Sequence, residues 1–200
     1  MYPEYNQLDP GSPKCSEDTA YPAAPDSEYG WEKLFSERFY LAANRNYGLD
    51  IRIARLHNIY GPAGSWNDGR EKAPAALCRK ISETPDGGEI EMWGDGKQTR
   101  SFMYIDDCIK GTQMLIHSDI SEPINIGSAE MVTINELVDI VEEIADLRLV
   151  RKYNLDAPKG VRGRSSDNTL IERLFNWSPN ISLIEGMEKT YQWIYDQIEK

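Results

Sequence analysis

The stretch Glu28–Leu56 (EYGWEKLFSERFYLAANRNYGLDIRIARL) determines the fold class of this chain. From Glu28 to Tyr47 the apolar side chains recur at helical spacing, and Gly48 is the residue type that commonly ends a helix. From Leu49 to Leu56 the pattern alternates and then becomes apolar, as it does in a sheet strand. Helix, glycine turn and strand form the second half of a strand–helix–strand crossover, which predicts an α/β protein.

Tyr29 and Lys33 are the first candidate functional residues, because they lie one turn apart on the predicted helix. A spacing of four places a phenol and an ammonium on the same helix face. The cation favours the phenolate, which can accept a proton from a sugar hydroxyl while a nicotinamide accepts the hydride. Taken alone, such a pair is more often an incidental aromatic and lysine on a surface helix. The rest of the chain must therefore show whether this pair is functional or incidental.

The composition is that of a folded protein with one medium domain, or one domain and part of another: 200 residues, 40% hydrophobic and 28% charged. The net charge of −11 argues against nucleic-acid binding and against docking on an anionic membrane. No apolar run approaches the length of a membrane span, and the start lacks the features of a signal peptide. The widely spaced Cys15, Cys78 and Cys108 favour reduced thiols and a cytoplasmic location. The two histidines are too isolated for a zinc site, so no metal is predicted.

Helices and short strands alternate along the remainder of the chain. The patterns predict helices at Ala73–Ser82, Asp106–Ile116, Ile134–Leu147, Asn168–Phe175 and Ile184–Ile198, and strands at Glu89–Trp93, Gln98–Ile105, Pro123–Ile126 and Leu149–Tyr153. Residues 1–26 and 157–166 are predicted to be loops. No glycine-rich strand–turn–helix of the GxGxxG kind occurs in the sequence. Either the protein is not a dinucleotide enzyme, or its cofactor-binding half lies outside these residues.

Several stretches together resemble the extended short-chain dehydrogenase/reductase family, in particular its sugar-nucleotide epimerases and dehydratases. The YxxxK pair and Asn58–Pro62 (NIYGP) are shared by many of these enzymes. Gly69–Pro74 (GREKAP) and Gly160–Arg164 (GVRGR) are typical of a narrower group that acts on GDP-mannose. The other matching stretches are Tyr2–Glu4, Met92–Gly96, Gln98–Phe102, Asn125–Ser128 and Ser165–Asn168.

The resemblance implies a carboxy-terminal piece of such an enzyme. It would hold a partial Rossmann-like parallel sheet, with the amino-terminal half missing, and a smaller mixed α/β substrate-binding domain. Residues 1–66 would belong to the NAD-binding domain and 67–200 mainly to the substrate domain, with segments around 98–127 returning to the Rossmann sheet. A typical member carries the glycine-rich NAD loop before the position of Tyr2, and the narrower group that acts on GDP-mannose also carries a cysteine acid/base there. Cys15 lies in the following loop and is not assigned that role.

The resemblance also implies a reaction, the NAD-dependent epimerisation of GDP-mannose at carbons 3 and 5 through a transient 4-keto sugar. Tyr29 would deprotonate the hydroxyl on carbon 4, and Lys33 would assist it and hold the nicotinamide ribose. Lys72 would be one member of the acid/base pair that inverts carbons 3 and 5. A lysine suits that task when burial or a neighbouring cation such as Arg70 destabilises its ammonium. In the alternative interpretation, Lys72 merely pairs with Glu71 or with solvent.

Further residues are candidates for binding the sugar nucleotide. Asn58 follows the predicted strand, where α/β folds place ligand contacts, although its amide could equally bond its own turn. Arg100 and Arg164 are the expected diphosphate clamps, because a guanidinium can grip phosphate with two hydrogen bonds. Arg162 fits either this role or a place on the surface. The remaining candidate substrate-binding residues are Glu71, Lys72, Ala73, Lys80, Gln98 and Thr99.

Other expectations concern packing and assembly. Trp93 and Phe102 are expected in the core rather than stacked on a base, and His57 is expected to be structural. Asp106 and Asp107 are expected to cap the helix that they begin. The apolar stripe of the first helix is expected to be core or interface. Because such helices often build a dimer in the resembling family, a homodimer is expected.

Two alternatives remain open at this stage. The chain could come from another sugar-nucleotide 4-epimerase or 4,6-dehydratase of the same superfamily, or it could be catalytically inert by itself. Without the glycine-rich loop and the cysteine, the isolated chain is expected to show no turnover of GDP-mannose with NAD. An uncovered sheet edge and apolar face are expected to favour aggregation.

Overall fold

The computed structural model describes residues 1–13, 15–157 and 160–199. The helices in them are α1 (Glu28–Tyr47), α2 (Ala73–Ser82), α3 (Ile105–Ile116), α4 (Ile134–Ala145), α5 (Thr169–Phe175) and α6 (Leu183–Ile198). The strands are β1 (Ala54–Leu56), β2 (Ile59–Tyr60), β3 (Glu89–Trp93), β4 (Thr99–Ser101), β5 (Met103–Tyr104), β6 (Ile124–Ile126), β7 (Met131–Thr133), β8 (Val150–Asn154) and β9 (Gly163–Arg164). Two 3₁₀ turns, Glu4–Gln7 and Glu17–Ala20, precede α1. No helix within the described residues combines the length and the apolar character needed to cross a membrane.

Most strand pairs are parallel and are separated along the chain by helices. β1 pairs with β6, β2 with β5, and β3 with β8, all in parallel. β4 pairs in parallel with β9 on one side and antiparallel with β7 on the other. Parallel strands need long crossover connections, and helices supply them here. The predicted α/β class is therefore confirmed.

Helix α1 has the bounds that the sequence predicted. The Ser27 hydroxyl accepts a hydrogen bond from the Gly30 backbone N–H at 3.2 Å, and Gly48 ends the helix in the left-handed conformation at φ 66°. The strand predicted from Leu49 to Leu56 is shorter than expected and begins at Ala54. Its partner β6 has only three residues, which pair with Ala54, Arg55 and Leu56. Before β1, the Ile53 carbonyl accepts one further hydrogen bond from the Ile124 N–H at 2.9 Å.

The short strands are where the prediction failed most. The single strand predicted over residues 98–105 divides at Phe102 into β4 and β5, which pair with different neighbours. Strands β2, β7 and β9 were not predicted, and β9 lies inside the predicted loop 157–166. Pro158 and Lys159 of that loop lie outside the described residues. Strands of two or three residues carry no periodicity, so only their partners define them.

Within the described residues, the buried hydrophobic side chains form three clusters. The largest packs α2, α4 and α6 against β3 and includes Ile81, Val141 and Met187. The second surrounds β1 and β6 and includes Leu115 and Ile126. The third joins the amino-terminal residues to α1, and its buried members are Tyr2, Cys15, Ala20 and Leu34.

One buried ion pair joins α1 to the sheet. Arg55 on β1 donates from Nε and Nη2 to the two carboxylate oxygens of Glu37 on α1, at 2.8 and 2.7 Å. The two side chains are only 3% and 2% exposed. Arg55 Nη1 also donates to the Tyr2 hydroxyl at 3.1 Å and to the Glu17 carbonyl at 2.8 Å. A single guanidinium thus connects β1, α1 and the amino-terminal segment.

The opposite side of α1 exposes aromatic side chains. Leu34 is buried, whereas Phe35 and Phe39 are 72% and 64% exposed. Their rings stack on each other with centroids 6.5 Å apart. We call Trp31, Phe35, Phe39 and Tyr40 the α1 aromatic face. The predicted apolar stripe is therefore exposed in this chain for most of its length.

The buried pair generates a prediction about stability. We expect Glu37→Gln to lower the free energy of unfolding by about 3 kcal/mol, because Arg55 would keep a buried charge and lose its counter-charge. Urea denaturation measures this change. The matched control is Glu89→Gln, which removes an exposed pair with Lys152 at 2.6 Å and should cost less than about 1 kcal/mol. Equal losses from the two substitutions would contradict the role assigned to the buried pair.

Candidate functional site

The Tyr29–Lys33 pair has the geometry that its spacing predicts. The Lys33 ammonium lies 5.2 Å from the centroid of the Tyr29 ring, and the tyrosine is 71% exposed. Lys33 also pairs with Glu32 at 3.1 Å. The hydrogen bond and charge of Glu32 raise the pKa of the Lys33 ammonium. Phenol and ammonium therefore lie together on an open face of α1.

Three guanidiniums gather on the sheet formed by β4 and β9, and we call Arg100, Arg162 and Arg164 the arginine cluster. Arg100 and Arg164 are direct partners across the two parallel strands, so their side chains point to the same side of the sheet. Arg162 precedes Arg164 by two residues and pairs with Asp95 at 3.2 Å. The cluster concentrates positive charge on a chain whose net charge is −11.

Arg100 is the member of the cluster without a carboxylate partner in the described part of the chain. Its Nη1 and Nη2 donate to the carbonyls of Thr99 and Val161, at 2.7 and 2.8 Å. Burial, and after it the charge of Arg164, lower the pKa of Arg100 to about 10. The side chain stays charged at neutral pH, and an anion placed beside it would relieve the repulsion.

Arg164 is held on two sides. Its Nε donates to Gln7 Oε1 at 2.6 Å, and its Nη2 lies 3.2 Å from both carboxylate oxygens of Asp26. Asp26 directly precedes Ser27, the residue that caps α1. The arginine cluster therefore adjoins the end of α1 that carries Tyr29.

Asn58 lies between β1 and β2 in the left-handed conformation, at φ 45°. This backbone conformation is uncommon for a residue other than glycine. Its side-chain amide donates to the Ser101 carbonyl at 2.9 Å, rather than to its own turn. Its backbone carbonyl accepts from the Met103 N–H at 3.2 Å. These bonds place Asn58 beside Ser101, the last residue of β4, and Met103, the first residue of β5.

Thr99 supports the arginine cluster from the backbone side. Its N–H donates to the Arg162 carbonyl at 2.9 Å, and its hydroxyl donates to the Pro10 carbonyl. Both groups of this residue are therefore occupied within the chain.

Lys80 and Gln98 lie around the end of β3. The Lys80 ammonium donates to the Glu91 carbonyl at 3.0 Å, and the Gln98 side-chain amide donates to the Trp93 carbonyl at 3.2 Å. Gln98 is buried, and its side-chain carbonyl oxygen has no hydrogen-bond partner within the described residues. Both side chains thus bond carbonyls of β3, and Gln98 directly precedes β4, which carries Arg100.

The expectation that Trp93 belongs to the core is wrong, because its side chain is 55% exposed. Side chains alternate along β3, with Ile90 and Met92 buried and Trp93 on the other face. Phe102 is buried, as expected. An indole surface therefore stands open beside Gln98.

Glu71, Lys72 and Ala73 form the entry to α2. Glu71 accepts from Arg79 Nη2 at 3.1 Å, and its second carboxylate oxygen is buried without a partner among the described residues. Hydrogen bonds from its own backbone N–H and from Arg79 lower the pKa of Glu71. Lys72 occupies the cap position of α2 and is exposed. In the described part of the chain its ammonium makes no ion pair, and Arg70 pairs with Asp68 at 2.6 Å.

The predicted capping role of Asp107 is wrong. Neither Asp106 nor Asp107 caps α3 with its side chain. Asp107 is 2% exposed, and its carboxylate accepts from the backbone N–H groups of Asn180 and Ile181, at 3.0 and 2.9 Å. Asp107 therefore fixes the segment that leads into α6. This contact joins residues more than seventy positions apart, so no local sequence pattern predicts it.

A buried polar network around Asn125 was missed from the sequence. The Asn125 amide donates to the Cys15 carbonyl at 2.8 Å, so its carbonyl oxygen is the acceptor for the Tyr2 hydroxyl and for His57 Nε2, the latter at 3.1 Å. His57 therefore carries a proton on Nε2. Burial lowers the pKa of His57 to about 4, and the residue is structural, as expected. Tyr2 and Asn125 both lie in the resembling stretches, which was the available signal.

The family follows from a sequence comparison. The family model described as the NAD dependent epimerase/dehydratase family matches residues 1–127. The chain belongs to this family.

Two curated relatives within this family are similar to the chain. The chain is 48% identical over 200 residues to GDP-mannose 3,5-epimerase of Arabidopsis thaliana, covering 100% of this chain and 52% of the relative. It is 31% identical over 176 residues to UDP-glucuronate 4-epimerase of Thermodesulfobacterium geofontis, covering 88% and 52%. The chain thus spans about half the length of these curated relatives.

A solved structure has the same architecture. The UDP-glucuronic acid 4-epimerase of Bacillus cereus, in complex with UDP-glucuronic acid and NAD, superimposes with a TM-score of 0.82 at 28% identity. The match covers 96% of this chain and 59% of that one. The Rossmann-like fold class is thereby confirmed.

The buried His57 generates a prediction about pH. A histidine with a lowered pKa in the folded state binds fewer protons than it does in the unfolded chain, so stability falls as the pH drops from its unfolded value of 6.5 towards about 4. From about pH 7.5 to pH 5 we expect this group to remove roughly 2 kcal/mol. Urea denaturation of the wild type and of His57→Gln at both pH values isolates its contribution. A loss of the same size in both proteins would refute the neutral buried histidine.

Proposed function

We propose that this chain contributes the catalytic tyrosine and most of the sugar-nucleotide site to an enzyme that epimerises GDP-mannose at carbons 3 and 5. Inversion of both carbons gives GDP-L-galactose, and inversion of carbon 5 alone gives GDP-L-gulose. The observation that carries the proposal is the arginine cluster beside the end of α1 that presents Tyr29 and Lys33. The identity of 48% to the Arabidopsis enzyme supports the choice of substrate.

Tyr29 and Lys33 act in the first chemical step, the oxidation of carbon 4. Tyr29 accepts the proton from the hydroxyl on carbon 4, and the Lys33 ammonium lies 5.2 Å from the centroid of its ring. Both side chains are open on one helix face, which fits binding of the nicotinamide ribose of NAD. When bound, NAD supplies the acceptor and later the donor of the hydride at carbon 4.

The second step is inversion next to the ketone. A carbonyl at carbon 4 makes the protons on carbons 3 and 5 acidic, because each carbanion is an enolate. Lys72 is one group of the acid/base pair, since no carboxylate among the described residues holds its ammonium in an ion pair. Inversion needs a second group on the opposite face of the sugar. Cys15 does not serve, because it is 2% exposed and burial raises the pKa of its thiol.

Residues on and beside β4 bind the diphosphate and the sugar of the nucleotide. Arg100 and Arg164 grip the diphosphate, and the free side-chain oxygen of Asn58 accepts from a sugar hydroxyl. Lys80 and Gln98 line the nucleotide side, and Glu71 and Ala73 line the sugar. Thr99 supports the phosphate side through its backbone bond to Arg162. The open indole of Trp93 supplies an aromatic surface next to Gln98.

Solvent deuterium distinguishes the reactions. The protein to use is this chain joined to the part of the Arabidopsis relative that it does not cover, supplied with NAD and GDP-mannose in heavy water. We expect deuterium at carbons 3 and 5 of the product. Lys72→Met should slow this incorporation by at least about a hundredfold, because it removes an acid/base group. Lys97→Met, at another exposed lysine, is the matched control and should not slow it.

Other deuterium patterns would indicate a different reaction of the same superfamily. Inversion at carbon 4 without deuterium at carbons 3 or 5 would indicate a 4-epimerase, and deuterium at carbon 5 with loss of water would indicate a 4,6-dehydratase. The isolated 200-residue chain is expected to show no turnover. Epimerisation of GDP-mannose by that chain alone would refute this expectation.

We also propose that the α1 aromatic face packs against a second copy of the protein. Phe35→Glu together with Phe39→Glu should weaken self-association of the joined protein by more than about a hundredfold, because two charges would replace buried aromatic anchors. Sedimentation velocity across a concentration series measures this change. Arg45→Glu, on the same helix but outside the face, should leave the association unchanged. A dimer that persists in the double variant would contradict the proposal.

A further inference from the structure

Gln7 is a completely buried polar side chain whose three hydrogen bonds leave it one orientation. It lies at the end of the first 3₁₀ turn and is 0% exposed. Its side-chain nitrogen donates to the carbonyls of Tyr2 and Pro3, both at 3.1 Å. Because carbonyls accept only, the amide cannot be flipped, and its oxygen must face Arg164 Nε at 2.6 Å.

The hydrogen bonds of Arg164 are distributed unevenly over its guanidinium. Gln7 occupies the Nε–H, and Asp26 occupies Nη2 at 3.2 Å. The remaining nitrogen, Nη1, makes no hydrogen bond with any residue that the structure describes. Two N–H donors are thus left open on a side chain whose direct cross-strand partner is Arg100.

Gln7 orients the guanidinium without neutralising it. An arginine free to rotate would lose about 2 kcal/mol of side-chain entropy on binding a ligand, and a neutral amide removes part of that cost beforehand. A carboxylate in this place would cancel the charge that attracts an anion. The partly exposed Asp26 is the acidic partner of Arg164.

We propose that Gln7 is a positioning residue for Arg164, which it fixes so that the open Nη1 edge meets the diphosphate of a sugar nucleotide. The inference rests on the proposed function of the arginine cluster as a diphosphate site. It adds Gln7, a residue of the amino-terminal segment, to the proposed diphosphate site. Gln7 lies 157 positions before Arg164 in the sequence.

Calorimetric titration of the 200-residue chain with GDP tests the ligand side of this proposal. We expect Gln7→Leu to weaken GDP binding about tenfold, in the range of one hydrogen bond to a charged group. In an Arg164→Met background the same substitution should add no further loss, because Gln7 acts through Arg164. Asn6→Leu is the matched control. It removes an amide of the same turn that bonds the Thr19 carbonyl at 3.1 Å, and it should change GDP binding less than about twofold.

Nuclear magnetic resonance of the arginine Nε–H groups tests the orientation without ligand. The Arg164 signal, assigned by its loss in Arg164→Met, should show hydrogen exchange at least about tenfold slower in the wild type and in Asn6→Leu than in Gln7→Leu. Circular dichroism and thermal unfolding establish that each variant is folded.

The possible failures are distinguishable. If the wild-type chain does not bind GDP, the diphosphate assignment of the arginine cluster fails, and this inference fails with it. If GDP binding depends on Arg164 but not on Gln7, the inference alone is overturned. Equal weakening by Gln7→Leu with and without Arg164 would show a general structural effect and would also overturn it.

Discussion

The buried ion pair between Arg55 and Glu37 is the interaction on which the rest of the structure depends. Burial opposes the charge of Arg55, yet the Glu37 carboxylate and the Tyr2 hydroxyl raise its pKa above the ordinary value. Glu37 lies four residues after Lys33 and eight after Tyr29, so all three share one side of α1. By fixing Glu37 against β1, the pair sets the rotation of the helix. That rotation decides where the phenol and ammonium point.

The arginine cluster shows how an acidic chain can hold a local positive site. Backbone carbonyls and one buried amide accept most hydrogen bonds from Arg100 and Arg164, and these neutral acceptors orient the guanidiniums while leaving their charge in place. Asp26 and Asp95 compensate the cluster in part. The net charge of −11 therefore says little about this site, because nearby groups dominate the field at short range.

The sequence predicted the helices well because periodicity and caps are local: Ser27 and Gly48 mark α1, and a capping box at Thr133 marks α4. The sequence did not predict strands such as β9, because two residues carry no periodicity and form a strand only by pairing with β4. The error at Trp93 was avoidable, since alternation already placed it on the side of the glutamates of β3. The contact between Gln7 and Arg164 was beyond reach, because nothing local relates residues so far apart. The proximity of Tyr29 and Lys33 needed only helical geometry.

The register of β4 is the second constraint on the candidate site. Gln98 directly precedes β4 and lies two residues before Arg100, about 7 Å along an extended backbone. Its carbonyl continues the pairing of β4 by accepting from the Ile134 N–H at 3.2 Å. Hydrogen bonds to β7 on one edge and to β9 on the other hold this register. A slip of one residue would send Arg100 to the opposite face and separate it from Arg164. The proposed nucleotide side, near Lys80, and the arginine cluster are therefore held at a fixed spacing by a strand paired on both edges, whereas α1 is placed independently through Arg55. The geometry between the Tyr29 phenol and the arginine cluster then depends on both anchors, and Asp26 and Gln7 are the contacts that join them.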